Sequence, residues 1–289
     1  MTDGHGRLES GRPSATAFGV AMLRAAHQLV HDPKVFDDPL ATRIIGRGGL
    51  ERLRKGIETH HGSAPRAELL AHLVARSRYA EDRLADAYRR GIRQYLVLGA
   101  GLDTFAWRNP FPDLTVFEID HPATQEWKRA RMRAVGVEVP PNLVFASMDF
   151  QTQTLAEALS AAGFDASRAA FASWLGVTMY LDPDAVMRVL STLGALPPSS
   201  EAVFDFNPDY DAAERPAASR TRRIGERTAA LGEPFRSRFE PDDLAARVAA
   251  LGFSQVEILG RSELDRLYFD GRRDGLAAPA YSRIARARV

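Results

Sequence analysis

The stretch Tyr95-Leu96-Val97-Leu98-Gly99-Ala100-Gly101-Leu102-Asp103-Thr104 decides the fold. Four apolar residues in a row form a strand buried on both faces, and two glycines one residue apart turn it sharply. Working outward, Thr115–Asp120, Leu143–Ala146, Ala169–Trp174 and Ala202–Phe206 read as further strands. Apolar residues at helical spacing lie between them, at 124–135, 155–159 and 185–193. A helix over 242–251 and a strand over 255–259 follow, and a last strand is expected near 281–285. Alternating strands and helices predict an α/β fold of the Rossmann-like kind, a mostly parallel sheet covered on both faces.

Upstream, helices are expected from Ser14 to Val30, around Ile44–Ile57 with an interruption by Gly46, Gly48 and Gly49, and from Leu69 to Arg90. They make an N-terminal helical cap over 14–90, ahead of an α/β domain over 91–289. Residues 1–13 are polar and Gly-rich and read as a disordered tail; His60–Ser63 reads as a loop. Residues 209–238 are Arg-rich without strand character and read as a helical lid inserted in the domain.

The 289 residues suffice for one sizeable domain with appendages. Acids match bases to a formal charge of +1, which gives no footprint for nucleic acid. The chain has no cysteine, which excludes disulfides and zinc–thiolate sites. No apolar run approaches the roughly 20 residues of a membrane helix, and no signal-peptide core is present, so a cytoplasmic location is the expectation. His27 and His31 are four apart on a helix with no evident third ligand, so no metal site is expected.

The chemistry starts at the glycine turn. In open parallel sheets the C-terminal edge of the first strand binds nucleotides. Glu118 and Asp120 end the next strand, where an acid can bond the ribose hydroxyls of a nucleoside. This pairing suits both NAD and S-adenosylmethionine (SAM). Thr104 stands where the dinucleotide fingerprint wants a third glycine or alanine. SAM has no pyrophosphate to seat there, so the departure favours SAM, with an NAD(P)-linked oxidoreductase as the alternative. Asp149 and Phe150 end the third strand, where a carboxylate can accept from an adenine amino group and an apolar ring can cover the base.

With these strand ends in view the chain resembles the leucine carboxyl methyltransferase family, and more closely its bacterial branch related to polyketide carboxyl O-methyltransferases. The matching stretches are YLVLGAGLDTFAWR (95–108), FEIDHPATQEWKRARM (117–132), SWLGVTMYL (173–181), ARSRYAED (75–82), GEPF (232–235) and YFDGRRDGL (268–276). The resemblance spans 14–287 and implies a class I SAM-dependent methyltransferase fold with a seven-stranded sheet. It implies that Arg76 holds the SAM carboxylate and that Gly99, with Gly101 in the same turn, faces the cofactor. By the same match Asp120 takes the ribose, Asp149 and Phe150 flank adenine, and Arg24 is a second basic residue near the carboxylate. Many relatives have glutamate where this chain has Leu175, which removes one polar contact and leaves open a SAM-binding protein without activity.

The reaction expected is methyl transfer to the oxygen of a small, acidic acceptor. A carboxylate acceptor is already ionised at neutral pH and needs no general base. Tyr180 is a candidate for orienting the acceptor and His121 a candidate base, although His121 also reads as a residue that starts a helix. Arg220, Arg222 and Arg223 could draw an acidic substrate, or form a solvated helix face. Oligomeric state is not legible.

Overall fold

The computed structural model describes residues 14–59, 66–150, 152–209 and 215–289. The expectations for the tail 1–13 and the loop 60–63 lie outside the described residues, as does part of the lid.

The chain opens with α1 (Ala15–Val30), whose first turn is capped by Ser14 Oγ accepting from the Ala17 N–H at 3.1 Å. α2 (Ala41–Ile44) and α3 (Gly46–Thr59) follow. The break expected from three glycines falls at one of them. Gly46 has φ +69°, a left-handed turn open to glycine at little cost, whereas Gly48 and Gly49 continue inside α3. α4 (Ala67–Arg89) then runs across β4 (Phe171–Trp174) and β5 (Glu201–Asp205).

The sheet begins with β1 (Gln94–Leu98), and α5 (Phe105–Arg108), β2 (Thr115–Asp120), α6 (Pro122–Ala134), β3 (Leu143–Ser147) and α7 (Leu155–Ala161) follow. After β4 come a 3-10 turn (Thr178–Tyr180), α8 (Pro183–Gly194) and β5. The lid contains α9 (Arg215–Ala229) and then an extended strap to Glu240. α10 (Pro241–Ala249), β6 (Gln255–Leu259), α11 (Arg261–Leu264) and β7 (Ile284–Arg288) complete the chain. The last strand thus begins three residues later than 281, because the backbone still turns there, the Ser282 N–H donating to the Pro279 carbonyl at 3.0 Å.

Seven strands form one sheet in the order β3-β2-β1-β4-β5-β7-β6. All neighbours are parallel except β7, which lies antiparallel between β5 and β6. Alternate side chains feed two cores. Tyr95, Val97, Val116, Phe171 and Val203 join the layer of α4, and Leu96, Leu98, Phe117, Ile119 and Trp174 join the layer of α7, α8 and α10. This three-layer architecture is the class I methyltransferase fold. The chain goes from β1 outward to β3 and then returns to start β4 on β1's other side. A crevice therefore opens at the C-terminal ends of β1 and β4, where such sheets hold ligands. No described helix is long and apolar enough to cross a membrane.

Candidate functional site

A cavity of about 1240 Å³ fills that crevice, between the strand ends below and α1, α4, α9 and the strap above. It is large enough for a nucleoside cosubstrate and a second small molecule.

Its floor is the turn after β1. Gly99 (φ +63°) and Gly101 (φ +48°) are both in the left-handed region that disfavours side chains. A Cβ on Gly99 would stand 2.3 Å from Val177 Cγ2 of the loop after β4, so the two loops meet only because the residue is glycine. The Gly101 N–H donates to Asp120 Oδ2, and the His121 N–H donates to Asp120 Oδ1 at 2.6 Å. Burial pushes the Asp120 carboxyl above its ordinary range, against these two bonds. The two acids of β2 part company here. Asp120 lines the cavity, while Glu118 is buried beneath it and paired with Lys128 Nζ at 2.7 Å. Burial outweighs Lys128 and raises the Glu118 carboxyl to about 7. Asp149 and Phe150 line the cavity at the end of β3, the Phe150 ring 6.2 Å from that of Trp174.

Arg76 enters from α4. Its Nη1 donates to Asp205 Oδ2 at 2.6 Å, and its Nη2 lies 2.6 Å from where a Cβ on Gly176 would stand. Arg24 also reaches the cavity wall, where its Nη1 lies 3.5 Å from Asp103 Oδ2. Nε donates to Asp38 Oδ2 at 3.0 Å and Nη2 to Thr104 Oγ1 at 3.1 Å. Arg24 thus ties α1 to the glycine turn, and Thr104, wholly buried, is the knot.

His121 is the N-cap of α6, its Nδ1 accepting from the Ala123 N–H at 3.3 Å, while the ring still touches the cavity. Tyr180 lies under the strap, 5.4 Å from the Phe235 ring, and burial beside Glu233 pushes its hydroxyl up to about 12. Glu233 accepts from Thr16 of α1, which closes the cavity's upper rim. Leu175 lines the wall and packs on the α4-side core. Of the lid arginines singled out from sequence, Arg220 pairs with Glu68 of α4, and Arg222 and Arg223 face solvent. Arg227, Arg236 and Arg66 line the cavity instead. His27 and His31 spend their rings on the fold. Their Nδ1 atoms lie 3.2 Å apart, and His27 Nε2 accepts from the Val35 and Phe36 N–H groups at 3.0 and 3.3 Å.

Asp205 and His72 escaped the sequence reading. Asp205 ends β5 and is wholly buried. Its Oδ1 accepts from the Gly176 N–H at 2.6 Å, and its Oδ2 also meets His72 Nε2 at 3.1 Å. An acid at the C-terminal end of a parallel strand was the available signal.

The leucine carboxyl methyltransferase pattern matches residues 17–194. The chain belongs to the leucine carboxyl methyltransferase family. It is 29% identical to YktD of Bacillus subtilis, named as an S-adenosyl-L-methionine-dependent methyltransferase, over 94% of this chain and 96% of that one. A Mycobacterium marinum protein named for the same activity is 34% identical over 75% of this chain and 73% of its own. Among solved structures, one named as a methyltransferase from Thermobifida fusca superposes with a TM-score of 0.59 at 18% identity, covering 97% of this chain and 96% of the other. That likeness concerns the fold.

The cavity-lining residues fit SAM on their own chemistry. A glycine turn gives close backbone approach, and a locked carboxylate follows at the ribose position. A guanidinium is present for a carboxylate, and a carboxylate sits beside a half-buried ring at the base position.

Proposed function

We propose that this SAM-dependent methyltransferase forms methyl esters, transferring its methyl group to the carboxylate oxygen of a small acidic molecule. When bound, SAM supplies a methyl carried on a positively charged sulfur. Arg76 would take its carboxylate, Asp120 its ribose hydroxyls, and Asp149 and Phe150 its adenine.

The observation that carries the acceptor reading is what lines the rest of the cavity. Among the described lining residues there is no lysine. His72 has both ring nitrogens bonded, and His121 turns Nδ1 back to cap α6. Tyr180, pushed up to about 12, keeps its proton at neutral pH and is not a base there. An acceptor that arrives ionised suits such a wall. Arg66, Arg227 and Arg236 also line the cavity, among acids that include Glu81, Asp103 and Glu233, and offer guanidinium groups to an acidic acceptor. The chain's work is then to align and enclose. The 3-10 turn and strap would hold the acceptor against the strand ends, and the Thr16–Glu233 contact ties α1 to the strap above it.

The test is incubation of dialysed protein with SAM and a panel of acidic small molecules, with products read by mass. The expected product is a methyl ester, lost on mild alkaline treatment. A base-stable methylated product from a phenol or alcohol would replace the carboxylate reading with ether formation.

A further inference from the structure

Asp205 pairs with both Arg76 and His72, and Ser282 stands behind His72. His72 and Arg76 are four residues apart on α4, so both reach one carboxylate across the gap between helix and sheet. As an ionised carboxylate Asp205 only accepts, so the His72 proton sits on Nε2, 3.1 Å from Oδ2. His72 Nδ1 then accepts from the Ser282 hydroxyl at 2.9 Å. Burial favours the neutral ring this arrangement requires. Ser282 is wholly buried and off the cavity wall, so these three residue types do not form a nucleophile triad.

We propose that His72 is a positioning residue for the cofactor: with Ser282 behind it, it locks the Asp205 carboxylate, and through it the Arg76 guanidinium, in the orientation that receives the cofactor's carboxylate. This rests on the reading of Arg76 given above. The guanidinium lies flat against Gly176, whose φ of +76° and 2.6 Å gap leave no space for a side chain. Asp205 fixes that contact from the other side through the Gly176 N–H. A long, flexible arginine carries rotamer freedom that would otherwise be lost on binding. The network removes that freedom beforehand, so more of the ion pair appears as affinity.

The role predicts a selective defect. S-Adenosylhomocysteine has the amino-acid end that Arg76 would bind; methylthioadenosine has the same nucleoside without it. In calorimetric titrations of the full chain, His72→Leu should weaken S-adenosylhomocysteine binding by about 10-fold, the order expected for one hydrogen bond to a charged group. Methylthioadenosine binding should change by less than about 2-fold. His72→Gln can donate to Asp205 and accept from Ser282 and should recover most of the loss. Melting curves identify a variant that has merely unfolded, and His72→Gln keeps the test open if His72→Leu does so. Equal weakening of both ligands, or no weakening of S-adenosylhomocysteine while Arg76→Ala loses it, overturns the proposal alone. Unimpaired S-adenosylhomocysteine binding by Arg76→Ala overturns the reading of Arg76 and this proposal with it.

Discussion

At the residue scale, the ribose contact proposed for Asp120 rests on a carboxylate whose two oxygens are fixed by the N–H groups of Gly101 and His121. On the reading proposed above, Asp120→Ala removes the acceptor for the ribose hydroxyls. SAM affinity, read by calorimetry, should fall about 10-fold or more, from the ~1.5–3 kcal/mol typical of hydrogen bonds to charged groups. Tyr180→Phe tests whether the acceptor needs a base. A hydroxyl that keeps its proton to about 12 contributes orientation only, so the pH–rate profile between 6 and 9 should keep its shape while kcat drops. Loss of a basic limb in that profile would show that Tyr180 titrates in the reaction. Arg76, Gly99, Gly101, Asp120, Asp149 and Phe150 were all named from sequence, and all line one cavity, because strand ends in an open parallel sheet converge on the switch point. Asp205 was passed over because its importance lies in its partners, and those come from a helix more than a hundred residues earlier.

At the element scale, backbone conformation decided what composition left ambiguous. Three glycines near the start of α3 looked equally able to interrupt a helix, and only Gly46 does so. Its left-handed φ and the Arg131 guanidinium, 2.8 Å from an added Cβ, leave a side chain no relaxed position. Gly46→Ala should cost about 1–2 kcal/mol for the left-handed backbone, whereas Gly56→Ala, inside α3 with open space around it, should be neutral or stabilising. Urea midpoints of the two variants check this, and equal midpoints would mean the α2–α3 corner is not strained by a side chain. The lid shows the same limit. Arg-rich sequence correctly suggests a helix at α9, but helical periodicity cannot say which arginines look inward. That depends on the turn by which α9 docks, and Arg227 and the strap's Arg236 line the cavity while Arg222 and Arg223 face solvent.

At the scale of the whole molecule, burial of titratable groups makes stability depend on pH. His27 is buried, accepts two backbone N–H groups, and is lowered from 6.5 to about 4, by burial first and by His31 next. Between those values the unfolded chain binds a proton that the folded chain does not, so this term weakens the fold as pH falls. Its full size is about 3 kcal/mol at 1.36 kcal/mol per pH unit. Glu118, raised to about 7, acts with the opposite sign: the folded chain holds its proton to higher pH, and stability is lost as pH rises from 4.5. Comparing wild type with His27→Gln isolates the histidine. From pH 7.5 to 4, wild type should lose about 3 kcal/mol more than the variant in urea titrations. Parallel curves would show that His27 does not stay neutral in the fold. The sequence by itself determined the α/β class, the order of the main strands and helices, and the glycine turn and acids at the ends of the first three strands. Those follow from local periodicity, from glycine's freedom at positive φ, and from a sheet topology that brings successive strand ends to one edge. Only the tertiary structure decided that β7 slots antiparallel between β5 and β6, that Arg24 and Arg76 reach one cavity with Asp38 and Asp205 as their partners, and that His72 shares Asp205 with Arg76. Each depends on contacts between segments far apart in sequence, and a linear pattern carries no distance between them.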